Sequence, residues 1–213
     1  RALAQERIRE RGLEDRIEVL LSDYRDLTGQ YDKLVSIEMI EAVGHHYYGS
    51  FFETCARLLR PDGLMAMQAI TIQDRFYERA RKTVDYIKRY IFPGSCIPAV
   101  SVLAAAAARS SDLTLTHLED ITPHYARTLR EWRERCMEQQ DAIRGLGFDD
   151  RFLRMWEFYL AYCEGGFAER HIGDVQMVFS KPMDRRPPQL LDRDRLAGTA
   201  GDGVDDVLVG VHA

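Results

Sequence analysis

Apolar positions along the first third of the chain gather into near-continuous runs at 17–21 (IEVLL), 33–37 (KLVSI) and 64–72 (LMAMQAITI). Runs without polar alternation suit strands buried on both faces of a parallel sheet. A different period lies between the last two. Tyr47, Phe51, Cys55 and Leu58 recur every three or four residues, which predicts an amphipathic helix that Pro61-Asp62-Gly63 ends before the next strand. Residues 2–11 predict an earlier helix closed by Gly12. Helices alternating with buried strands predict an α/β doubly wound sheet.

The rest of the chain is more helical. Helices are expected at 74–90, after Pro98, from Tyr125 to about 140 and from Phe152 to about 164, with strands at 113–118 (LTLTHL) and 175–180 (VQMVFS). The helices between Ile72 and Leu113 exceed what one crossover needs, and are read as a helical cap over the strand ends. On 74–90 a helical wheel puts Arg75, Arg79, Lys82 and Arg89 in one arc opposite Phe76, Ala80, Val84 and Ile87. Such a stripe suits anionic headgroups or a solvated face. The segment CIPAVSVLAAAAA at 96–108 suits the lining of an apolar tunnel or a small-residue core helix equally. From 182 the chain turns rich in Pro, Gly and Asp, so 1–181 is read as the folded part and 182–213 as a disordered tail.

Composition narrows the function classes. With 213 residues, 46% hydrophobic and 30% charged, the chain can bury one sizeable core. A net charge of -5, with 29 basic and 34 acidic residues, gives no global basic field for nucleic acid. No apolar run approaches the roughly 20 residues of a spanning helix, and the first residues are charged rather than signal-like, so a cytoplasmic location is expected. Cys55, Cys96, Cys136 and Cys163 form no CxxC pair and have no His at ligand spacing, which points to neither a metal site nor a disulfide framework.

Ligands of open α/β sheets sit beyond the carboxyl ends of the strands. Ser22-Asp23-Tyr24 follows the first apolar run, and Glu38 and Glu41 follow the second. Taken alone, Asp23 is a ligand contact or a loop carboxylate accepting local N–H bonds. Glu41 is a site residue or a favourable charge in a first helical turn. His45 and His46, just beyond, read as loop residues.

Five segments together are more specific: SDYRDL (22–27), YDKLVSIEMIEAVG (31–44), LRPDGLMAMQAITI (59–72), YIFPGSCIP (90–98) and PHYARTLREW (123–132). In order and spacing they resemble the cyclopropane-fatty-acyl-phospholipid synthase family, which includes the mycolic acid cyclopropane synthases, from Arg1 to about Lys181. The resemblance implies a Rossmann-like class I methyltransferase fold that uses S-adenosylmethionine. It also implies that the family's first strand and glycine-rich cofactor turn lie before the position of Arg1, so that this chain is an N-terminally incomplete fold and a weak cofactor binder by itself.

Site residues follow from the same resemblance. Ser22, Asp23 and Tyr24 match the loop against the adenine ring, and Ile37 matches an apolar cofactor contact. Glu41, in IEAVG, matches the active-site glutamate of a Phe-Glu-His-Val-Gly-like segment. Tyr125 matches the tyrosine that helps hold bicarbonate, the family's base. Gln68 stands where the pattern has His, two residues before Ile70, and a neutral amide donates a hydrogen bond but does not titrate near neutral pH. The implied reaction is methyl transfer to the cis double bond of an unsaturated phospholipid chain, with proton loss and ring closure, at the inner face of a membrane. A methyl-branch product, another lipid or small-molecule substrate, an inactive fragment and a homodimer stay open.

Overall fold

The computed structural model describes residues 1–186 and 207–211. Strands β1 (Tyr31–Ile37) and β2 (Leu59–Ile72) pair in parallel through the amphipathic helix α3 (Tyr48–Leu58), itself preceded by the single turn α2 (Ile40–Val43). β3 (Thr114–Asp120) and β4 (Ile172–Ser180) complete the far side, and β5 (Val207–Val211) the near side, in the order β3-β4-β2-β1-β5. The sheet is therefore mixed. β4 runs antiparallel to both β2 and β3, because the helices between β3 and β4 leave and re-enter at one end of the sheet, where Ile121 N–H donates to Asp174 O at 2.9 Å.

One face of the sheet is sealed by α3 and by α5 (Val100–Ser110). Phe51, Phe52, Leu58, Met65, Met67, Leu103, Met177 and Phe179 fill the space between, each no more than 2% exposed. Of the two readings of 96–108, the core helix is the one observed. Its alanines let α5 approach α3 closely, and a Cβ at Gly49 would lie 2.8 Å from Ser110 Oγ.

The cap is built differently from expectation. The helix beginning at Asp74 ends at Ala80 (α4), and a π-helical turn follows at Ile87–Ile91. Thr83 and Val84, both β-branched, interrupt the helix, and Asp85 Oδ1 accepts from Lys88 N–H at 2.9 Å to start the next turn. No single arc of Arg75, Arg79, Lys82 and Arg89 can form across that break. The cap's bulk comes from α6 (Thr122–Glu138), the short α7 (Gln140–Gly145) and α8 (Asp150–Ala168). Leu129, Leu160 and Phe167 are buried between α6 and α8 and pack on Ile70 at the end of the sheet. Tyr86 OH donates to Met155 O at 2.9 Å and joins 74–98 to that pair.

Two further expectations are corrected. Residues 17–21 form no strand: Ile17, Leu20 and Leu21 are 45%, 46% and 82% exposed, with no described strand beside them to bury an apolar run. α1 (Ala2–Glu10), which Gly12 does terminate at φ 63°, likewise buries none of its residues. Within the expected tail, Val207–Val211 is a strand, paired in parallel with β1 from Lys33↔Val207 to Ile37↔Val211. Its short β-branched sequence meets an edge whose backbone groups need partners. The remainder of that tail from 187 on lies outside the described residues.

Strand β2 departs from its partner at Arg60–Gly63, between the pairs Tyr31↔Leu59 and Lys33↔Leu64. Gly63 fits there because it lacks a Cβ, which would sit 3.0 Å from Arg60 O and 3.2 Å from Asp32 O. Gly63→Ala is expected to cost roughly 1–3 kcal/mol, read as a lower urea midpoint at unchanged slope. An unchanged midpoint would show that the bulge yields.

Candidate active site

The carboxyl ends of β1 and β2 and the start of β4 converge on one acidic cluster. Glu38, the first residue beyond β1, has φ 51°, a left-handed conformation that favours glycine. Its N–H donates to Gln68 O at 3.0 Å, which ties this turn to β2. The strained turn places two carboxylates side by side: Glu38 itself and Glu41, in the first turn of α2.

Hydrogen bonds join the cluster. Gln68 Nε2 donates to Glu38 Oε1 at 3.1 Å and to Asp174 Oδ2 at 3.0 Å, and Gln176 Nε2 donates to Gln68 Oε1 at 3.1 Å. Tyr125 OH donates to Glu38 Oε2 at 3.1 Å. Ile70 N–H donates to Glu41 Oε1 at 2.6 Å. Asp174 N–H donates to Thr122 Oγ1 at 3.0 Å. Thus Glu41, Gln68, Ile70 and Tyr125, expected from sequence, do meet. Tyr125 is fixed from behind by stacking on Phe167 at 4.5 Å.

The electrostatics follow from burial. Asp174 is 0% and Glu41 9% exposed. Desolvation, reinforced by Glu38 and Glu41, pushes the Asp174 carboxyl up to about 8. Desolvation pushes Glu41 up to about 7, with its own N–H and that of Ile70 pulling down and Glu38 pushing further up. Burial also raises the Tyr125 phenol far above its usual value, so it remains a donor at neutral pH. Glu41 Oε2 and Asp174 Oδ1 are buried without a hydrogen-bond partner among the described residues. A cluster of this kind favours positive charge developing nearby and disfavours an added anion.

Asp174 and Glu38 were not among the site residues expected from sequence. Asp174 is the single charged residue of β4, opposite Ile70, and that isolation in an apolar strand was its signal. Glu38 was visible as a second carboxylate three residues before Glu41.

Comparisons with known proteins fit this geometry. Residues 1–177 match the model of the mycolic acid cyclopropane synthetase family. The chain belongs to that family. It is 43% identical over 174 residues to the tuberculostearic acid methyltransferase UfaA1 of Mycobacterium tuberculosis, covering 82% of this chain and 41% of that protein. It is 33% identical over 183 residues to the cyclopropane-fatty-acyl-phospholipid synthase of Escherichia coli K12, covering 85% of this chain and 45% of that one. Among solved structures, the mycolic acid cyclopropane synthase CmaA1, complexed with SAH and CTAB, superposes with a TM-score of 0.70 at 26% identity, covering 81% of this chain and 65% of that chain. The family's class I methyltransferase fold is therefore the fold of this chain. The chain spans less than half the length of these two curated relatives.

The four residues expected at S-adenosylmethionine lie apart from the acidic cluster's hydrogen bonds. Asp23 accepts at Oδ1 from Arg25 N–H and at Oδ2 from the Arg25 guanidinium, at 2.9 and 2.6 Å, and this pairing lowers its carboxyl to about 2. Tyr24 packs edge-on to Phe51 at 5.8 Å and lines a small apolar pocket of about 50 Å³ with Leu34, Met39, Leu58 and Leu208. Ser22 is exposed, and Ile37 is 39% exposed at the end of β1. An ionised Asp23, an open hydroxyl and an open apolar side chain fit the polar edge and flat face of a purine nucleoside.

Bicarbonate does not fit. The donors expected to hold it, Gln68 Nε2 and Tyr125 OH, are occupied by Glu38, and the Ile70 N–H is occupied by Glu41. A free anion here would also face three protein carboxyls.

Proposed function

We propose that the complete protein transfers a methyl group from S-adenosylmethionine to the double bond of an unsaturated phospholipid acyl chain and closes a cyclopropane ring. The observation that carries this reading is the acidic cluster of Glu38, Glu41 and Asp174 at the strand ends, beneath an aromatic cap. When bound, the sulfonium compound supplies an electrophilic methyl. Ser22, Asp23, Tyr24 and Ile37 would hold its adenosine part. An alkene is a weak nucleophile, and its attack leaves a carbocation that negative charge stabilises and water destroys. Glu41 supplies the charge, and Tyr125, Phe167 and Tyr159 wall the site against water.

A second product is favoured by two observations. The 43% identical relative is named for tuberculostearic acid rather than for a ring, and Gln68 replaces the family's titratable His. Loss of a proton from a neighbouring chain carbon instead of from the methyl would discharge the cation and leave a methyl-branched alkene that keeps the whole methyl group. The complete protein, incubated with trideuteromethyl S-adenosylmethionine and vesicles of cis-unsaturated phospholipid, decides by mass spectrometry. A saturated product that keeps two deuterons is expected for the ring. Three retained deuterons would establish a branch and remove ring closure, and no label in lipid would remove the substrate class.

Contact with the bilayer is assigned to the cap. Among the described residues no helix is long and apolar enough to cross a membrane. Val84, Tyr90, Phe92, Phe158 and Tyr162 are each 47% exposed or more. Tyr86 gathers Tyr90, Phe158 and Tyr162 into one aromatic group, and Arg89 lies 5.7 Å over the Tyr90 ring. Aromatic rings beside a cation suit an anionic lipid–water interface. The double variant Tyr90→Glu, Phe158→Glu is expected to lower vesicle co-sedimentation about tenfold or more, since each change removes apolar contact and adds a repelled charge. Unchanged sedimentation would move the contact elsewhere.

A further inference from the structure

We propose that Glu38 is a built-in proton acceptor, occupying the place that a bound bicarbonate would otherwise take; this rests on the methyl-transfer reading above. Three observations converge. Glu38 presents one carboxylate oxygen to Gln68 Nε2 at 3.1 Å and the other to Tyr125 OH at 3.1 Å, so its carboxylate is oriented from both sides. Those two donors are the ones a small planar anion would need, and Glu38 already has the planar, two-oxygen shape that satisfies them. The carboxylate is held there at the expense of a left-handed backbone, φ 51°, in a residue with a side chain.

The surroundings assign the proton to this residue. Glu41 and Asp174 each keep one buried oxygen without a partner among the described residues, and each is 9% exposed or less. Glu38 is half-buried, and it alone of the three has both carboxylate oxygens held by side-chain donors, Gln68 Nε2 and Tyr125 OH. Glu41 is tied to the Ile70 backbone and Asp174 to Gln68 and, through its N–H, to Thr122 Oγ1, so each is a positioning or electrostatic group.

The step balances without another reactant. After the alkene pair has taken the methyl and the sulfonium has left as a neutral thioether, one carbon of the chain is cationic. A methyl C–H bond breaks, its electron pair forms the third ring bond to that carbon, and its proton passes to Glu38. The cation and the carboxylate are both neutralised, giving a ring and a carboxylic acid that later returns its proton to water.

The test uses the complete protein and two variants. Glu38→Gly relaxes the backbone, since glycine adopts positive φ without a steric penalty, and opens a carboxylate-sized space facing Gln68 and Tyr125. Glu38→Gln fills that space with an amide that cannot take a proton. Wild-type turnover is expected to be unchanged in CO2-depleted buffer. Glu38→Gly should lose about 100-fold in turnover and recover about tenfold or more with added formate or bicarbonate, while Glu38→Gln, equally slow, should not recover. Titration with 13C-labelled bicarbonate, read by NMR, should show a bound anion in Glu38→Gly and none in the parent.

Loss of wild-type activity on CO2 depletion would overturn the proposal. So would Glu38→Gln turnover within about threefold of the parent, a scatter too small for loss of a base. A Glu38→Gly variant that neither binds bicarbonate nor recovers with any anion would overturn it as well. Absence of label in lipid with the parent itself would instead remove the methyl-transfer reading, and the base with it.

Discussion

Glu41→Gln in the complete protein is expected to lower turnover by roughly 100- to 1,000-fold while leaving methyl-donor affinity nearly intact. The two side chains have the same shape, and the amide oxygen can still accept from Ile70 N–H, which now holds Glu41 Oε1 at 2.6 Å. What disappears is a negative charge in a buried site, where charge acts strongly because water screens it poorly. Only the ionised form stabilises a cation, so the raised Glu41 value, about 7, has a definite consequence. Turnover should rise with pH through about 7 and then level off, and the variant should lack that rise.

Burial is the main cause of the raised Glu41 value, its own N–H and that of Ile70 lower it and Glu38 raises it further, while Glu41 in turn raises Asp174 in the cluster and Tyr48 behind it. Tyr48 OH donates to Cys96 O at 2.9 Å, and Cys96 N–H donates to Glu41 O at 2.8 Å, so the α2 turn is anchored from its far side as well. Initial rates between about pH 5.5 and 8.5 check both claims. Equal rates in variant and parent would take Glu41 out of the mechanism.

The sequence made the two central strands legible because their apolar runs are uninterrupted, and α3 legible because its buried residues keep one helical period. The site was half legible for a physical reason. Glu41, Gln68, Ile70 and Tyr125 lie in contiguous motifs, whereas Asp174 reaches them only through antiparallel pairing across more than a hundred residues, Ile70↔Asp174. Periodicity carries no information about such a partner. Residues 17–21 failed in the opposite sense: an apolar run has strand potential, but a strand needs neighbours, and here β5 holds the edge beside β1. The 74–90 helix failed locally, because Thr83-Val84-Asp85 offers a stop and a new cap inside an otherwise helical pattern.

Gln68 is the residue on which the cluster depends for coherence. It donates to two carboxylates and accepts from Gln176, so all of these contacts are lost together if it rotates. A histidine in its place would offer two ring nitrogens and would not span Glu38 and Asp174 while also accepting from Gln176. The amide therefore belongs with the extra carboxylates rather than replacing a histidine in isolation.

Asp174→Asn is expected to stabilise the protein, increasingly so as pH rises. In the folded state the Asp174 carboxyl is pushed from 3.8 up to about 8, with desolvation as the main cause and Glu38 and Glu41 adding to it. Between those two values the folded state keeps a proton that the unfolded state releases, so the folded state binds more protons and stability falls as pH rises. The penalty is absent below about pH 4 and complete above about pH 8, where a shift from 3.8 to about 8 amounts to roughly 6 kcal/mol. Glu41 adds to the same slope up to about 7. Asparagine does not titrate, keeps an oxygen for Gln68 Nε2 and leaves no unpaired buried charge. Chemical denaturation at acidic and alkaline pH should show curves for parent and variant that meet near pH 4 and diverge above it, the variant being the more stable. Parallel curves would mean that Asp174 meets water in the folded state. Turnover should drop in the same variant, because a less acidic neighbour holds Gln68 less firmly against Glu38; the residue is kept at a cost in stability because the cluster needs it.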